Sequence, residues 1–146
     1  IQQKHNVYFK IIADQIPKGL NIPFDFEKWN VVREIDQLRD IDIGIMPLPN
    51  EEWAKGKCAF KALQYLSLGI PCVASPVGAN KNVVLQNQTG LLAETKNEWI
   101  EALEHLLLDH ALRIRLGKAG RQHVLKGFSV LSQRAAYVHN INKLTV

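Results

Sequence analysis

Cysteine and methionine are scarce in this chain of 146 residues, which has two cysteines, Cys58 and Cys72, and one methionine. Two cysteines are too few for a disulfide framework or a zinc cluster. Both lie within or beside apolar runs, where a free thiol packs as a small hydrophobic group. The sequence also lacks an apolar run long enough to cross a bilayer and the basic-then-apolar order of a secretory signal. These absences predict a reducing, cytoplasmic setting and two buried thiols.

Nucleotide-binding and metal-binding motifs of known spacing are missing as well. Neither G-x-G-x-x-G nor G-x-x-x-x-G-K-[ST] occurs, which removes the ordinary dinucleotide-binding and P-loop interpretations. The five histidines show no metal-ligand spacing with a carboxylate partner, so we expect no metal ion. A Ser, His and Asp order around a nucleophile turn is also absent, and this argues against a serine hydrolase.

Acidic residues are absent from residues 111–146. That segment carries seven bases, whereas residues 1–110 carry all 14 acids and 11 of the 18 bases. A basic segment of this kind is able to contact an anionic membrane or a nucleic acid. Because the bases alternate with Leu, Ile, Ala and Val, the sequence favours the solvated outer face of amphipathic helices, with peripheral contact at the inner face of a membrane as the alternative. Aromatic residues that would stack on bases are sparse, so no nucleic acid is expected.

Runs with strand and helix character alternate along the chain, and its 47% hydrophobic content is sufficient for a core. The strand-like runs are continuously apolar, which is typical of parallel strands buried on both faces. We therefore predict an α/β fold, a Rossmann-like open doubly wound parallel sheet with C-terminal helices, in one domain covering residues 1–146. The expected strands cover residues 7–13, 24–26, 41–46, 71–75 and 90–93, and the expected helices cover residues 29–38, 57–68, 83–86, 97–108, 111–126 and 129–140.

Polar residues form a narrow stripe on the predicted helix of residues 57–68. Lys57, Lys61 and Gln64 stand at i, i+4 and i+7 of an otherwise apolar segment, so they share one face. The helix follows the third strand, and its first turn therefore lies at the carboxyl edge of the sheet, where ligands bind in this fold class. Free N–H groups around Gly56–Cys58 and two ammonium groups would bind a phosphate there. The alternative is an ordinary solvated face, and the pattern alone does not decide between the two.

Four segments carry the most specific pattern of the sequence. They are Asp42–Pro49 (DIGIMPLP), Gly56–Ser75 (GKCAFKALQYLSLGIPCVAS), Val77–Gly78 and Thr89–Leu92 (TGLL). A helix, then Gly-x-Pro-x-Val-Ala-Ser, then Thr-Gly-Leu-Leu follow one another in this order. With these segments the chain, from about Val7 to Tyr137, resembles the C-terminal domain of GT-B glycosyltransferases, in particular the large retaining family 4, also called group 1 glycosyl transferases.

The resemblance implies that the chain is one half of a GT-B enzyme, the half that binds the donor, a nucleoside-diphosphate sugar. The parent enzyme would transfer the sugar to a hydroxyl acceptor with retention at the anomeric carbon. The catalytic histidine, the acceptor site and the first strand–helix unit would precede Ile1, so we expect a fragment that is inactive alone. No metal is expected, because helix-end N–H groups together with Lys57 and Lys61 would neutralise the diphosphate.

The resemblance also implies contacts with each part of the donor. Some members have Gly-Lys followed four residues later by Lys, which implies diphosphate contacts at Gly56, Lys57, Cys58 and Lys61. Gln64 stands where many members hold the ribose hydroxyls with a glutamate. Contacts with the sugar or the base are expected at Glu51, Glu52, Trp53, Gly78, Ala79 and Asn80.

Three positions depart from the family's pattern by lacking a glutamate, namely Gly56, Gln64 and Asn82. Gln64 still donates and accepts hydrogen bonds without a charge, whereas Gly56 offers no side chain, and Glu51 or Glu52 is the nearest substitute. These departures leave two alternatives open. One is a degenerate, non-catalytic module that docks a partner or an anionic membrane, and the other is half of a nucleotide-sugar epimerase.

Overall fold

The computed structural model describes residues 1–143 and divides into two compact units, one of residues 1–42 and one that begins at Ile43. Parallel sheets flanked by helices make up the fold, so the predicted α/β, Rossmann-like class is confirmed. Strands form at all five predicted places, two in the first unit and three in the second. That residues 1–146 make one domain stays a prediction.

The first unit is a two-stranded parallel sheet followed by one helix. It contains β1 (Lys10–Ala13), β2 (Asp25–Lys28) and α1 (Glu34–Arg39). The buried Gln37 of α1 joins the helix to the end of β2. Its amide nitrogen donates to the carbonyl of Lys28 at 2.8 Å, and its amide oxygen accepts the N–H of Asn30 at 3.0 Å. Because both ends of the amide have a partner, this polar side chain is accommodated without water.

The second unit has a three-stranded parallel sheet in the order β3-β4-β5. The strands are β3 (Gly44–Met46), β4 (Cys72–Ala74) and β5 (Gly90–Leu92). The helices are α2 (Glu52–Lys55), α3 (Phe60–Ser67), α4 (Asn80–Val83), α5 (Lys96–Leu108), α6 (His110–Gly127) and α7 (Val130–Asn142). Among residues 1–143, none of the helices combines the length and the apolar composition that crossing a bilayer requires.

The central strand β4 separates two hydrophobic clusters. Cys72 and Ala74 belong to a cluster that includes Leu66 of α3, and Val73 belongs to one that includes Leu106 and Leu116 of α5 and α6. Successive side chains of a strand point to opposite faces. Both faces of the sheet are therefore covered by helices, which is why β4 is apolar at every position.

Helices α5 and α6 start where their caps stand in the sequence. The Thr95 hydroxyl accepts the N–H of Glu98 at 3.3 Å while the Glu98 carboxylate accepts the N–H of Thr95, which is a capping box. Hydrogen bonds from the backbone N–H groups of Glu94 and Thr95 hold the pKa of Glu98 below its usual value. Asp109 accepts the N–H of Leu112 at 2.8 Å and opens α6. The predicted bounds of these two helices are confirmed to within one residue.

Two other predicted helices are displaced. The helix expected at residues 29–38 begins at Glu34, because the side-chain oxygen of Asn30 accepts the N–H groups of Val32 and Arg33 and forms a turn there. The helix expected at residues 83–86 instead covers Asn80–Val83, where Val84 is already extended.

The helix expected at residues 57–68 begins three residues late, at Phe60. Residues 52–55 form the short helix α2, which closes at Gly56, and the N–H of Lys57 still donates to the Ala54 carbonyl at 3.2 Å. Ala59 has a φ of 56°, in the left-handed region. A helix cannot continue through such a residue, so Lys57 and Cys58 lie in a loop.

The two thiols differ in exposure, which corrects the prediction that both are buried. Cys72 is fully buried in β4, and burial raises the pKa of its thiol to about 12, whereas Cys58 is exposed in the loop before α3. We expect Ellman's reagent at pH 8 to titrate one thiol in the native chain and two in denaturant, because only a thiolate reacts. Cys58→Ser removes the native reaction. A native stoichiometry of two would contradict the buried position of Cys72.

Candidate functional site

The carboxyl ends of β3, β4 and β5 lie at one edge of the sheet, and the loops that follow them enclose a cavity of about 320 Å³. We call it the edge cavity. Its lining residues come from the loops after the three strands, from the end of α2 and from the start of α4. They are Asn50, Lys55, Pro76, Val77, Gly78, Lys81 and Glu94. In open parallel sheets this edge is where ligands bind.

Backbone contacts hold the loops around the edge cavity in place. The Ser75 hydroxyl accepts the N–H of Leu48 at 2.9 Å, and the Ser75 carbonyl accepts the Asn80 side-chain amide at 2.9 Å. Gly78 has a φ of 52°, and a Cβ on it would lie 2.5 Å from the carbonyl oxygen of Lys55. A larger residue does not fit between these loops, so glycine is required at this position.

Charged residues of the edge cavity include three that the sequence analysis did not single out. Lys55 forms an ion pair with Glu52 at 2.6 Å, and Lys81 and Glu94 are exposed. Glu94 stands two positions after the end of β5. A charged residue just after a parallel strand lies at the carboxyl edge of the sheet, so this position could have been recognised from the sequence. Lys81 and Lys55 have no such signal, because their positions depend on how α2 and α4 pack.

The opening turn of α3 offers the backbone N–H groups that were expected around Gly56–Cys58. The first intrahelical bond joins the N–H of Leu63 to the carbonyl of Ala59 at 3.0 Å, and no side chain caps the helix. The preceding N–H groups, from Phe60 to Ala62, therefore have no partner within the helix. The structure therefore places the unpaired N–H groups of the helix start about three residues later than predicted, and an anion site at them stays a prediction.

Lys57, Lys61 and Gln64 do not form the predicted stripe, because Lys57 is outside the helix. Its ammonium nitrogen lies 4.0 Å from the centroid of the Trp53 ring, a cation–π contact. Trp53 itself is 75% exposed. Lys61 is exposed in the first turn of α3. Lys57 thus lies in the loop before α3, Lys61 in its first turn and Gln64 in its second turn.

Gln64 is buried in the second turn of α3, with 8% of its surface exposed. Its side-chain oxygen has no hydrogen-bond partner in the part of the chain that the structure describes. An acceptor left unpaired in this way costs about 1–3 kcal/mol of stability. Gln37, whose amide is fully paired, shows that the fold is able to satisfy a buried glutamine. The unpaired oxygen of Gln64 is therefore a feature that calls for an explanation.

The other predicted residues occupy several environments. Glu51 occupies the N-cap position of α2 without a capping hydrogen bond from its side chain, and Glu52 is exposed within α2. Ala79 precedes the first residue of α4 and packs against the Leu66 cluster. Asn80 is buried, and its side-chain oxygen has no partner among residues 1–143. Asn82 is exposed, with its carbonyl 3.1 Å from a ring nitrogen of His123. Of the predicted residues, Gly78 lines the edge cavity.

Among residues 1–143, no group of three His, Cys, Asp or Glu side chains is placed to hold a metal ion.

Solved structures that are similar to this chain include GT-B glycosyltransferases. Sucrose-phosphate synthase from Thermosynechococcus elongatus is similar with a TM-score of 0.67 and 21% identity, over 84% of this chain and 30% of that protein. Anabaena Alr3699/HepE, solved in complex with UDP-glucose, is similar with a TM-score of 0.61 and 17% identity, over 84% of this chain and 33% of that protein. The fold is that of a GT-B glycosyltransferase domain.

The chain belongs to the family Glycosyl transferases group 1, which matches residues 19–109, well over half of its length. The predicted family is therefore confirmed. A curated relative, D-inositol 3-phosphate glycosyltransferase of Corynebacterium aurimucosum, is 34% identical over 84 residues, which are 56% of this chain and 19% of the relative. The chain thus spans about a third or less of the length of each of these proteins.

Proposed function

We propose that this domain binds the nucleoside-diphosphate sugar of a retaining glycosyltransferase that transfers the sugar to a hydroxyl acceptor. One observation carries the proposal. The side-chain oxygen of Gln64, buried and without a hydrogen-bond partner among residues 1–143, stands one turn behind a helix start that no described side chain caps. A ligand with a hydroxyl group and an anionic group at adjacent positions satisfies both. A ribose joined to a diphosphate is such a ligand.

The diphosphate binds at the opening turn of α3. The N–H groups of Phe60 to Ala62 point out of the helix, and the helix dipole favours an anion there by about 0.3–1 kcal/mol. Lys57 and Lys61 add two ammonium groups, one from the loop and one from the first turn. Gly56 and Cys58 lie in the preceding loop and contact the diphosphate through the backbone. These groups neutralise the diphosphate, so a metal ion is not needed.

The ribose binds to Gln64. Because the amide oxygen is enclosed, the side chain has to rotate toward the ligand, and the rotation exchanges an unpaired oxygen for a hydrogen-bonded one. A neutral amide is able both to donate to and to accept from a ribose diol. The absence of a charge at Gln64 therefore leaves the hydroxyl contacts possible.

The sugar occupies the edge cavity, whose volume lies at the lower end of the range of small-molecule sites. Asn50, Lys81 and Glu94 offer hydrogen-bond donors and acceptors to hydroxyl groups, and Gly78 lets the ligand approach the backbone. The exposed α2, with Glu51, Glu52 and Trp53, contributes contacts with the sugar or the base. Anabaena HepE, a protein with this fold, was solved with UDP-glucose, which supports a donor of this type.

The chemical step needs residues that this domain does not supply. We propose that they belong to a second, acceptor-binding domain of a cytoplasmic parent enzyme, and that the present chain is inactive alone. Its contribution is to bind the leaving diphosphate and to stabilise the charge that develops on it, which is commonly a large part of the rate enhancement.

Thermal unfolding with UDP, GDP or ADP at millimolar concentration tests the proposal. The nucleotide that matches the site raises the melting temperature, because a ligand that binds only the folded state stabilises it. Lys57→Ala and Lys61→Ala each reduce the shift. Lys126→Ala on α6, which removes one exposed lysine far along the chain, leaves it unchanged. A shift that survives both site substitutions would place the nucleotide elsewhere, and no shift with any of the three would favour a non-catalytic module.

A further inference from the structure

The orientation of α6 is fixed by its inner face. Leu112 and Leu116 pack in the Leu106 cluster, and Val124 packs in the Leu66 cluster. Gly117 lies against the backbone of Gly69 so closely that a side chain there would overlap it. The face of α6 opposite these residues therefore points away from the sheet.

Exposed cations and exposed aliphatic residues stand together along one border of that outward face. Ile114, Lys118, Arg121 and Leu125 stand at i, i+4, i+7 and i+11, so they form one stripe along the helix. Ile114 is 60% exposed and Leu125 is 50% exposed. The two aliphatic side chains lie about 16 Å apart along the axis, with both cations between them. We call Ile114, Lys118, Arg121 and Leu125 the outer stripe.

In the part of the chain that the structure describes, no acidic side chain pairs with the cations of the outer stripe. Residues 111–146 contain no acid, and among residues 1–143 neither Lys118 nor Arg121 forms an ion pair. Arg113 behaves differently, since its guanidinium donates to the carbonyls of Leu106 and Leu107 at 2.6 and 3.1 Å and caps the end of α5. Arg113 therefore stabilises the fold through hydrogen bonds, whereas Lys118 and Arg121 are accessible to a binding partner.

We propose that the outer stripe of α6 docks this domain on an anionic lipid surface. Cations are attracted to such a surface, and the aliphatic side chains enter the boundary between headgroups and acyl chains. The long stems of Lys118 and Arg121 lie along the same apolar boundary while their charges reach the headgroups. This inference does not depend on the donor site, because none of the four residues of the outer stripe belongs to that site.

A nucleic acid fits the stripe less well. Stacking on bases needs aromatic rings, and α6 contains no Phe, Tyr or Trp. Exposed Ile and Leu side chains gain nothing from a phosphate backbone, whereas they gain burial in a lipid boundary. The sequence favoured a solvated helix face over membrane contact, whereas the exposed aliphatic residues of the outer stripe favour membrane contact.

Flotation of the chain with phosphatidylcholine vesicles, with and without phosphatidylglycerol, tests the inference. We expect binding only to the vesicles that contain phosphatidylglycerol and release at high salt, because salt screens the attraction. Lys118→Glu with Arg121→Glu lowers binding at least fivefold. Ile114→Ser with Leu125→Ser lowers it also, although this pair leaves the net charge unchanged.

The matched control is Lys28→Glu with Lys96→Glu, which makes the same change in net charge at exposed positions outside α6. It keeps at least half of the binding, and circular dichroism shows whether each variant is folded. An equal loss in the control would mean that only net charge matters and would overturn the inference. Absence of binding, or binding of a DNA duplex as strong as that of the vesicles at the same salt, would overturn it as well.

Discussion

Replacement of Gly117 by alanine is expected to lower the free energy of unfolding by about 3 kcal/mol, the upper range for overpacking. A Cβ at Gly117 would overlap the carbonyl oxygen of Gly69, would lie 2.9 Å from its carbonyl carbon and would lie 3.5 Å from the ring of Pro71. The neighbours are backbone and a ring, which have little freedom to move. Relief therefore requires α6 to shift away from the loop between α3 and β4. Urea unfolding followed by circular dichroism measures the change.

Gly127→Ala is the control for this prediction, since Gly127 is in the same helix and a Cβ there meets no atom within 4 Å. We expect it to raise the free energy of unfolding by up to about 1 kcal/mol, because alanine favours the helix more than glycine does. Equal effects of the two substitutions would contradict the close contact of α6 with Gly69. Because the two substitutions are expected to change the free energy of unfolding in opposite directions, they distinguish an effect of packing from an effect of helix propensity.

Gln64→Met is expected to stabilise the free domain and to weaken nucleotide binding. Methionine keeps the length of the side chain and removes the unpaired oxygen, so the free energy of unfolding rises by about 1 kcal/mol. For a chain of this size that is a rise of about 2–4 °C in melting temperature. Without the amide, the affinity for the matching nucleoside diphosphate falls about tenfold or more, which corresponds to a lost hydrogen bond of about 1.4 kcal/mol. Unfolding curves and a nucleotide titration measure the two effects on the same sample.

Gln37→Met is the matched control. Gln37 is buried to a similar degree, but both ends of its amide are hydrogen-bonded. The same substitution there lowers the stability of the first unit by about 1–3 kcal/mol, because the carbonyl of Lys28 and the N–H of Asn30 lose their partner. Loss of stability in Gln64→Met would mean that the Gln64 oxygen is paired after all. Unchanged nucleotide affinity would place the ribose away from Gln64.

Local signals were sufficient for the strands and for the late helices. The β4 run (CVA) is apolar at every position because both of its faces are covered, and this is visible in one sequence. Thr95 and Asp109 mark the starts of α5 and α6 because a cap is a contact between residues three positions apart. Signals of this kind need no information from distant parts of the chain.

The start of α3 could not be predicted in the same way. A left-handed backbone is expected at Gly or Asn, and here it occurs at Ala59, where it costs about 1–2 kcal/mol. Ala59 is fully buried in the Leu66 cluster, and packing of this residue offsets the strain. Because that packing involves β4 and α4, nothing near Ala59 in the sequence announces it.

The arrangement of the candidate site residues differs from the one that the sequence predicts, while their role stays a prediction. Lys57, Lys61 and Gln64 were singled out by spacing on a helix, yet the structure separates Lys57 from that helix and buries Gln64. The edge cavity joins Asn50 to Glu94, residues 44 positions apart, because three parallel strands end at one edge. The proximity of such distant residues depends on the order of the strands in the sheet, and the spacing of residues in a sequence does not specify that order.

By itself the sequence determined the class of the fold and the family of the chain, since continuous apolar strands, helix caps and an ordered set of short motifs are all local features. Tertiary structure decided which backbone N–H groups at the start of α3 lack a partner within the helix, that the oxygen of Gln64 has no partner among the described residues, and that the outer stripe of α6 is exposed. Each of these depends on what packs against a residue from elsewhere in the chain, because burial and pairing are properties of neighbours in space.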